Sequence, residues 1–339
     1  MSSGSNPRMR DVALRCGVSE STVSHVLNGT KKVAESTREK ILAAIRDLNY
    51  HRDSDARRLA RGRSNFLGLI ISDIENPFYP GLIKSFESAA IEFGYEMLLC
   101  TTNYQQERTE SAFRKMIENK VPGVAVMTSR VAPTMADYLA EQGIASVFLD
   151  SVASGAMRSN IRVDYMNGVS GAVNHLHHMG HRDFALVAGP QDRASHVAYR
   201  EAFELALKHW KLVPRIVEGN NDSDSGEQAV TEFLTAKRLP TAILCSNDVT
   251  AMSVIRAFAR CGVRVPEDVS VVGADDIPVA SLTQPPLTTV RMPRERLGAL
   301  ALQTLHEMLS TRSQGGVELI VETELILRET TRIASQPST

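Results

Sequence analysis

From Phe66 onward the chain alternates short apolar runs with amphipathic stretches, and this alternation constrains the fold more than any other feature. The runs fall at 66–72, 96–101, 123–128, 145–149, 184–188, 242–246, 269–273 and 287–290, with a last one near 324–329. Between them, helical apolar spacing marks 78–93, 106–119, 167–179, 199–209, 226–236, 249–261 and 293–310. Strands interleaved with helices in this way build parallel sheets covered on both faces. There are too many units for one small sheet. The pattern therefore predicts a doubly wound parallel α/β body of two similar lobes, residues 64–163 with 291–320 and residues 164–290 with 321–332. No close sequence repeat relates them.

The segment before Phe66 has another character. Residues 1–63 carry 13 Lys and Arg against 7 Asp and Glu, while the whole 339-residue chain is nearly neutral at −1, so a basic head precedes an acidic body. Such asymmetry is the electrostatic footprint of a nucleic-acid-binding module. Within 8–50, Met9, Val12, Ala13 and Cys16 make one helical stripe that ends at Gly17, and Ser19 can cap a second helix whose inner face is Val23, Val26 and Leu27. Asn28-Gly29 stops it, and a third helix runs from Ser36 to Leu48. Two short helices around a glycine turn with a third behind them form an all-α helix-turn-helix head. Its second helix would enter the DNA major groove, with Ser19, Glu20, Ser21, Thr22, Ser24, His25 and Asn28 facing outward. Glu20 can accept from cytosine N4. It also reads simply as an acid placed favourably in a first helical turn.

Composition and motifs remove other classes. With 43% hydrophobic and 23% charged residues the chain is globular, and it has no apolar run long enough for a membrane span and no apolar stretch at its start resembling a signal peptide. Cys16, Cys100, Cys245 and Cys261 fall in no ligand spacing, which suits a reducing cytosol. His177 and His181 are helical neighbours that could share a metal, but no carboxylate or thiol with zinc-site spacing accompanies them, so neither metal nor cofactor is expected. Dinucleotide, P-loop, hydrolase-elbow and zincin motifs are all missing. An enzyme is not expected. The tails 1–7 and 333–339 read as disordered.

Open α/β sheets bind ligands beyond the carboxyl ends of their strands. Those positions hold Asp73, Phe78 and Tyr79 after the first strand, Asp150 after 145–149, and Arg193 and Ser195 after 184–188. Asn247 and Asp248 follow 242–246, Asp275 and Asp276 follow 269–273, Asp164 opens the second lobe, and Asn221 lies on the loop before 226–236. Ring faces with convergent Asp, Asn and Arg suit a small polyhydroxylated ligand. Three of these have plainer readings: Asn76-Pro77 as a helix start, Asp248 as an N-cap and Asn221 as loop chemistry.

The run DVALRCGVSESTVSHVLNG (11–29), followed by TREKILAAIRDLNY (37–50), closely resembles the DNA-binding head of the lac-repressor (LacI/GalR) family, and the resemblance continues through nearly the whole chain. It implies a periplasmic-binding-protein-like body, and a repressor that binds a palindromic double-stranded DNA operator as a homodimer in the cytoplasm. In such repressors the segment matching 51–63, which bears five arginines here, forms a hinge helix on DNA, with Ala56 and Leu59 at the positions that wedge into the minor groove. Arg52-Asp53 stands where the family often has Pro-Asn. The resemblance further implies effector contacts at Phe78, Tyr79, Asp150, Arg193, Asn247 and Asp275. Many relatives carry an arginine nine residues after the proline of the Gly-Pro pair, whereas this chain has Tyr199 there. Arg193 and Ser195 resemble the purine-responsive pattern, while NPFYPGL and LLCTTN resemble sugar-responsive members, and the balance favours a sugar or sugar derivative.

Overall fold

The computed structural model describes residues 7–28, 30–50, 64–128, 131–236, 238–311 and 315–334. Ala56, Leu59, the rest of 51–63, the side chain of Asn28 and the tails 1–6 and 335–339 lie outside the described residues. Two compact units divide the chain at Ser64.

In the first unit, α1 (Met9–Cys16), α2 (Glu20–Asn28) and α3 (Glu35–Asp47) follow the sequence expectation closely. Gly17 takes φ +66°, a left-handed position that an L side chain resists, and turns the chain between α1 and α2. Ser19 caps α2 by accepting from the Thr22 N–H at 3.2 Å. Val12, Ala13, Val23, Ile41, Ala44 and Tyr50 make a small core, with Val18, Val26, Leu27, Ile45 and Leu48 packed around it. Burial of the α2 face that holds Val23 turns Glu20 and Ser21 to solvent.

The second unit builds two six-stranded sheets among its described residues. The first contains β1 (Phe66–Ile71), β2 (Glu96–Thr101), β3 (Gly123–Met127), β4 (Ala145–Leu149), β5 (Arg158–Asp164) and β11 (Glu318–Glu322), ordered β11-β5-β4-β3-β1-β2 and parallel throughout. The second contains β6 (Phe184–Ala188), β7 (Arg215–Glu218), β8 (Ala242–Cys245), β9 (Ser270–Asp275), β10 (Thr289–Arg291) and β12 (Glu324–Ile326), ordered β12-β10-β9-β8-β6-β7, with only the β10–β12 pair antiparallel. The two winding orders are the same although the sequences do not repeat. The chain passes between lobes after Asp164, after Arg291 and after Glu322.

The helices are α4 (Tyr79–Glu92), α5 (Gln106–Glu118), α6 (Pro133–Glu141), α7 (Tyr165–His178), α8 (Ala194–His209), α9 (Ser223–Thr235), α10 (Asp248–Arg260) and α11 (Arg294–Thr311). α11 packs on α4 so tightly that a Cβ on Gly298 would lie 2.2 Å from the Leu82 carbonyl oxygen. Three strands and one helix were not expected from sequence. β7 (RIVE) and β11 (ELIVE) mix charges with aliphatics because they are edge strands, and β5 (RSNIRVD), just inside β11, carries its charges at its two ends and at the exposed Arg162. α6 is short and begins at Pro133. α8 starts five residues before the expected Tyr199, because its first turn carries polar residues in place of a core-facing stripe.

The histidine-rich end of α7 is structural. His177 stacks on Trp210 at 3.7 Å, His175 and Thr331 share a hydrogen bond, and the buried His181 bonds the Arg332 carbonyl at 2.9 Å. Among the described residues no three His, Cys, Asp or Glu side chains converge as a metal site. Within the segment expected to be disordered, Ala334 is tethered, its N–H donating to the Met179 carbonyl.

Candidate functional site: an aromatic cavity and an exposed recognition helix

Polar and aromatic groups surround a cavity in the second unit, at the carboxyl ends of strands from both sheets. Its lining includes Phe78 and Tyr79 at the start of α4, Tyr104 after β2, Thr128 after β3, Leu149 at the end of β4 and Asp150 just after it. The second sheet contributes Arg193, Ser195, His196 and Tyr199 around the start of α8, Asn221 before α9, Ser246 after β8 and Asp275 at the end of β9. Strand geometry explains the convergence: parallel strands deliver all their C-terminal loops to one edge.

Seven expected residues line this cavity: Phe78, Tyr79, Asp150, Arg193, Ser195, Asn221 and Asp275. Two do not. Asp164 caps α7, accepting from the Asn167 N–H at 3.3 Å. Asn247 is buried as the cap of α10, accepting from the Thr250 N–H at 2.8 Å while its Nδ2 donates to the Asn221 carbonyl at 3.0 Å. Asn247 therefore braces a lining residue from behind. The cap expected at Asp248 belongs to Asn247. Asp248 is instead a buried brace that accepts from the Thr289 hydroxyl and the Ile277 N–H, and burial pushes its carboxyl up to about 7.

Asp150 also differs from the free hydroxyl acceptor expected. It sits at φ +50° and accepts from the Val163 N–H at 2.7 Å and the Tyr165 hydroxyl at 2.8 Å, so both its oxygens hold the first crossing between lobes. Burial raises its carboxyl to about 6 against the lowering effect of these bonds. Asn221, at φ +69°, has its side-chain oxygen engaged by the Ser246 hydroxyl at 2.8 Å, which leaves its amide NH2 for a ligand.

Asp275 lines the cavity from the end of β9. Burial, then the nearby Asp248, raise it well above the usual carboxylate range, and Arg294 only partly offsets them. Asp275 and Asp276 both take positive φ, +102° and +52°. Consecutive non-glycine residues in this region store strain of about 1–3 kcal/mol each and persist only where neighbours over-determine them. Here Arg294 Nη1 donates to both carbonyls, at 3.1 and 2.6 Å, and Arg291 and Arg328 hold the Asp276 carboxylate at 2.7 and 2.5 Å. Although burial opposes it, these two guanidiniums keep Asp276 below the usual range.

The sequence reading did not select Tyr104, Tyr165, His196 or Tyr199 as contacts. The Arg193 guanidinium lies 3.5 Å over the Tyr104 ring. Tyr199 is only 4% exposed, packs edge-on against Tyr165, and its hydroxyl has no partner among the described residues. Starting α8 at Ala194 would have exposed the signal, because Ser195 and Tyr199 then share one helical face.

His196 carries a testable pH effect. Burial, with Arg193 adding to it, lowers its imidazole to about 4, below the unfolded value of about 6.5. As pH falls through this window the unfolded chain gains a proton that the folded one refuses, so stability drops. His196→Asn should lose roughly 2 kcal/mol less than the wild type between pH 7 and 4.5 in urea titrations. Equal losses in the two proteins would refute this.

In the first unit Glu20 and Ser21 are exposed, while Thr22, Ser24 and His25 are partly so. Ser19 is exposed, but its hydroxyl is occupied with the Thr22 N–H and the Ser21 and Thr22 hydroxyls. It serves as a cap. His25 Nδ1 shares a 2.9 Å hydrogen bond with the Thr30 hydroxyl, which fixes the ring at the end of the helix. Glu20 and Ser21 thus stand exposed at the start of α2, with His25 partly open near its end.

Comparison with known proteins agrees with this anatomy. Residues 8–53 match the model of bacterial regulatory proteins, lacI family, and residues 173–331 match a periplasmic binding protein-like domain. The HTH-type transcriptional repressor PurR of Proteus mirabilis is 33% identical, covering 94% of this chain and 95% of its own. Among solved structures, the lac repressor dimer bound to operator and the anti-inducer ONPF superposes with a TM-score of 0.86 at 28% identity, over 97% of this chain and all of that one. The transcriptional regulator CelR in complex with cellobiose gives 0.72 at 29% identity, over 96% and 99%.

Proposed function

The chain belongs to the lacI family of bacterial regulatory proteins, and from that premise we propose how it works. It is a DNA-binding transcriptional regulator, a repressor in its main action, whose operator binding is modulated by a small molecule held in the cavity of the second unit. The observation that carries the effector half is the gathering of Asp275, Asn221, Arg193 and the Tyr199 hydroxyl, which has no partner among the described residues, within aromatic walls. Carboxyl, amide and guanidinium groups take ligand hydroxyls in pairs, and rings cover the C–H face. A sugar or sugar derivative fits this set.

A purine is the second reading, favoured by the PurR relatives and by the number of rings in the lining. The DNA half rests on the basic head, its exposed Glu20 and Ser21 and its partly exposed His25. Two heads in a homodimer would meet two half-sites of a palindrome. Such a regulator acts in the cytoplasm, beside the chromosome; no described helix is long and apolar enough to cross a membrane.

Calorimetry of the full chain against D-ribose, D-glucose, cellobiose, hypoxanthine and guanine tests the effector assignment. One sugar should bind and the purines should not. Tyr199→Phe should then weaken that sugar roughly tenfold, the effect of one buried hydrogen bond of about 1.4 kcal/mol. Tight purine binding with no response to sugars would reverse the assignment.

A further inference from the structure

The strained turn at Asp275-Asp276 is held by three arginines, and one of them differs from the others in where it comes from. Arg291 lies on β10 and Arg328 follows β12, so both belong to the same sheet as the turn. Arg294 is the first residue of α11, which packs in the other lobe, on α4 and on β3 and β4. Its side chain is only 11% exposed. One end donates through Nη1 to the carbonyls of Asp275 and Asp276. The shaft lies on α4: a Cβ on Gly81 would meet Arg294 Nε at 2.8 Å and Cδ at 2.9 Å. Gly81 is two residues from Tyr79, which lines the cavity opposite the Asp275 strand.

We propose that Arg294 is a positioning residue that ties the two walls of the effector cavity together, holding Asp275 towards the ligand from a seat on the first turn of α4. The inference rests on the effector reading above. Its physical basis is that left-handed non-glycine residues relax to ordinary backbone unless held. Arg291 and Arg328 hold the Asp276 side chain, while Arg294 holds both carbonyls of the turn and does so from the opposite lobe. A ligand that engages Asp275 therefore pulls on α11 and α4 through one side chain. Occupancy of the cavity is transmitted to the first lobe by that link.

Two variants attack the link from opposite ends. Arg294→Met removes the donors, and Gly81→Ala leaves the arginine in place but takes the space its shaft occupies. Each is made in the full chain, with Arg294→Lys as the conservative control. Each is titrated with the panel sugar that binds the wild type, then assayed for operator binding with and without that sugar. Both Arg294→Met and Gly81→Ala should raise the sugar Kd at least tenfold and reduce the sugar-induced change in operator affinity. Operator affinity without sugar should stay within threefold of wild type, and Arg294→Lys should recover part of the loss. Gly81→Ala in the Arg294→Met background should add no more than twofold, because the guanidinium that a displaced shaft would misplace is already gone.

Variants that melt earlier but keep wild-type sugar affinity and response would reduce Arg294 to a packing residue and overturn the proposal. Additive losses in the double variant would overturn it as well. If Arg294→Met fails to fold, Gly81→Ala and Arg294→Lys carry the same comparison. A wild type that binds none of the panel overturns the effector reading and this inference with it, whereas a responsive wild type with unaffected variants overturns only the inference.

Discussion

Asp275→Ala is expected to abolish most effector binding, weakening it roughly ten- to hundredfold, the range for a buried hydrogen bond to a carboxyl group of about 1.5–3 kcal/mol. Asp275 is poised for this role by its surroundings. Its carboxyl is raised well above the usual range by burial and by Asp248, and its backbone is held in a left-handed conformation by Arg294. A carboxyl in that state sits in the cavity at a free-energy cost that a ligand hydroxyl can relieve. The alanine variant should be at least as stable as the wild type without ligand, because the poorly solvated acid is gone. Calorimetry and thermal melting report both. Unchanged effector affinity with lowered stability would make Asp275 a structural residue.

The second large effect concerns the head. Removing residues 1–64 should eliminate sequence-selective DNA binding, a loss of more than about 10³-fold relative to the intact chain. The remaining unit is compact by itself, carries the whole cavity, and should bind effector with the affinity of the full chain. In the intact protein, operator affinity should also fall steeply with salt, since the head's excess of six positive charges exchanges with ions on the phosphates. Electrophoretic shift and calorimetry on the truncated and full chains separate the two halves. Retained operator selectivity in the truncated chain would move the DNA interface out of the helix-turn-helix.

Much of the fold was legible because its elements are decided locally. Gly17 and Ser19 punctuate α1 and α2 by conformation and capping, and the apolar runs from Phe66 to Val290 read as strands because parallel sheets bury both faces. What escaped was decided by tertiary neighbours. β11 pairs with β5 at the edge of the first sheet from nearly half the chain away, and charges on their outer positions disguise them.

The site was legible to the resolution of a loop. Strand ends named the correct neighbourhoods, and seven of the expected residues line the cavity. The misplacements share a cause: an Asp or Asn beside a strand end can face a ligand or cap the next helix. Asp164 and Asn247 do the second, and only the start of each helix distinguishes the two. Asp150 reaches the cavity, but hydrogen bonds to Val163 and Tyr165 occupy its carboxylate, a use that depends on where β5 runs. Tyr104 and Arg193 meet face to face from separate lobes, and no spacing in the chain announces it.

In the proposed function the head and the cavity are two binding sites coupled in one molecule. By linkage, whatever factor the effector imposes on operator affinity, the operator imposes on effector affinity, typically a coupling of about 1–3 kcal/mol. Fluorescence anisotropy of the full chain on a pool of palindromic duplexes, at two salt concentrations and with or without the panel of sugars and purines, measures that coupling directly. This coupling predicts sequence-selective, salt-sensitive binding that one sugar shifts about five- to hundredfold. Tight sugar binding that leaves operator affinity unchanged at both salt concentrations, or no sequence-selective binding at all, would contradict it.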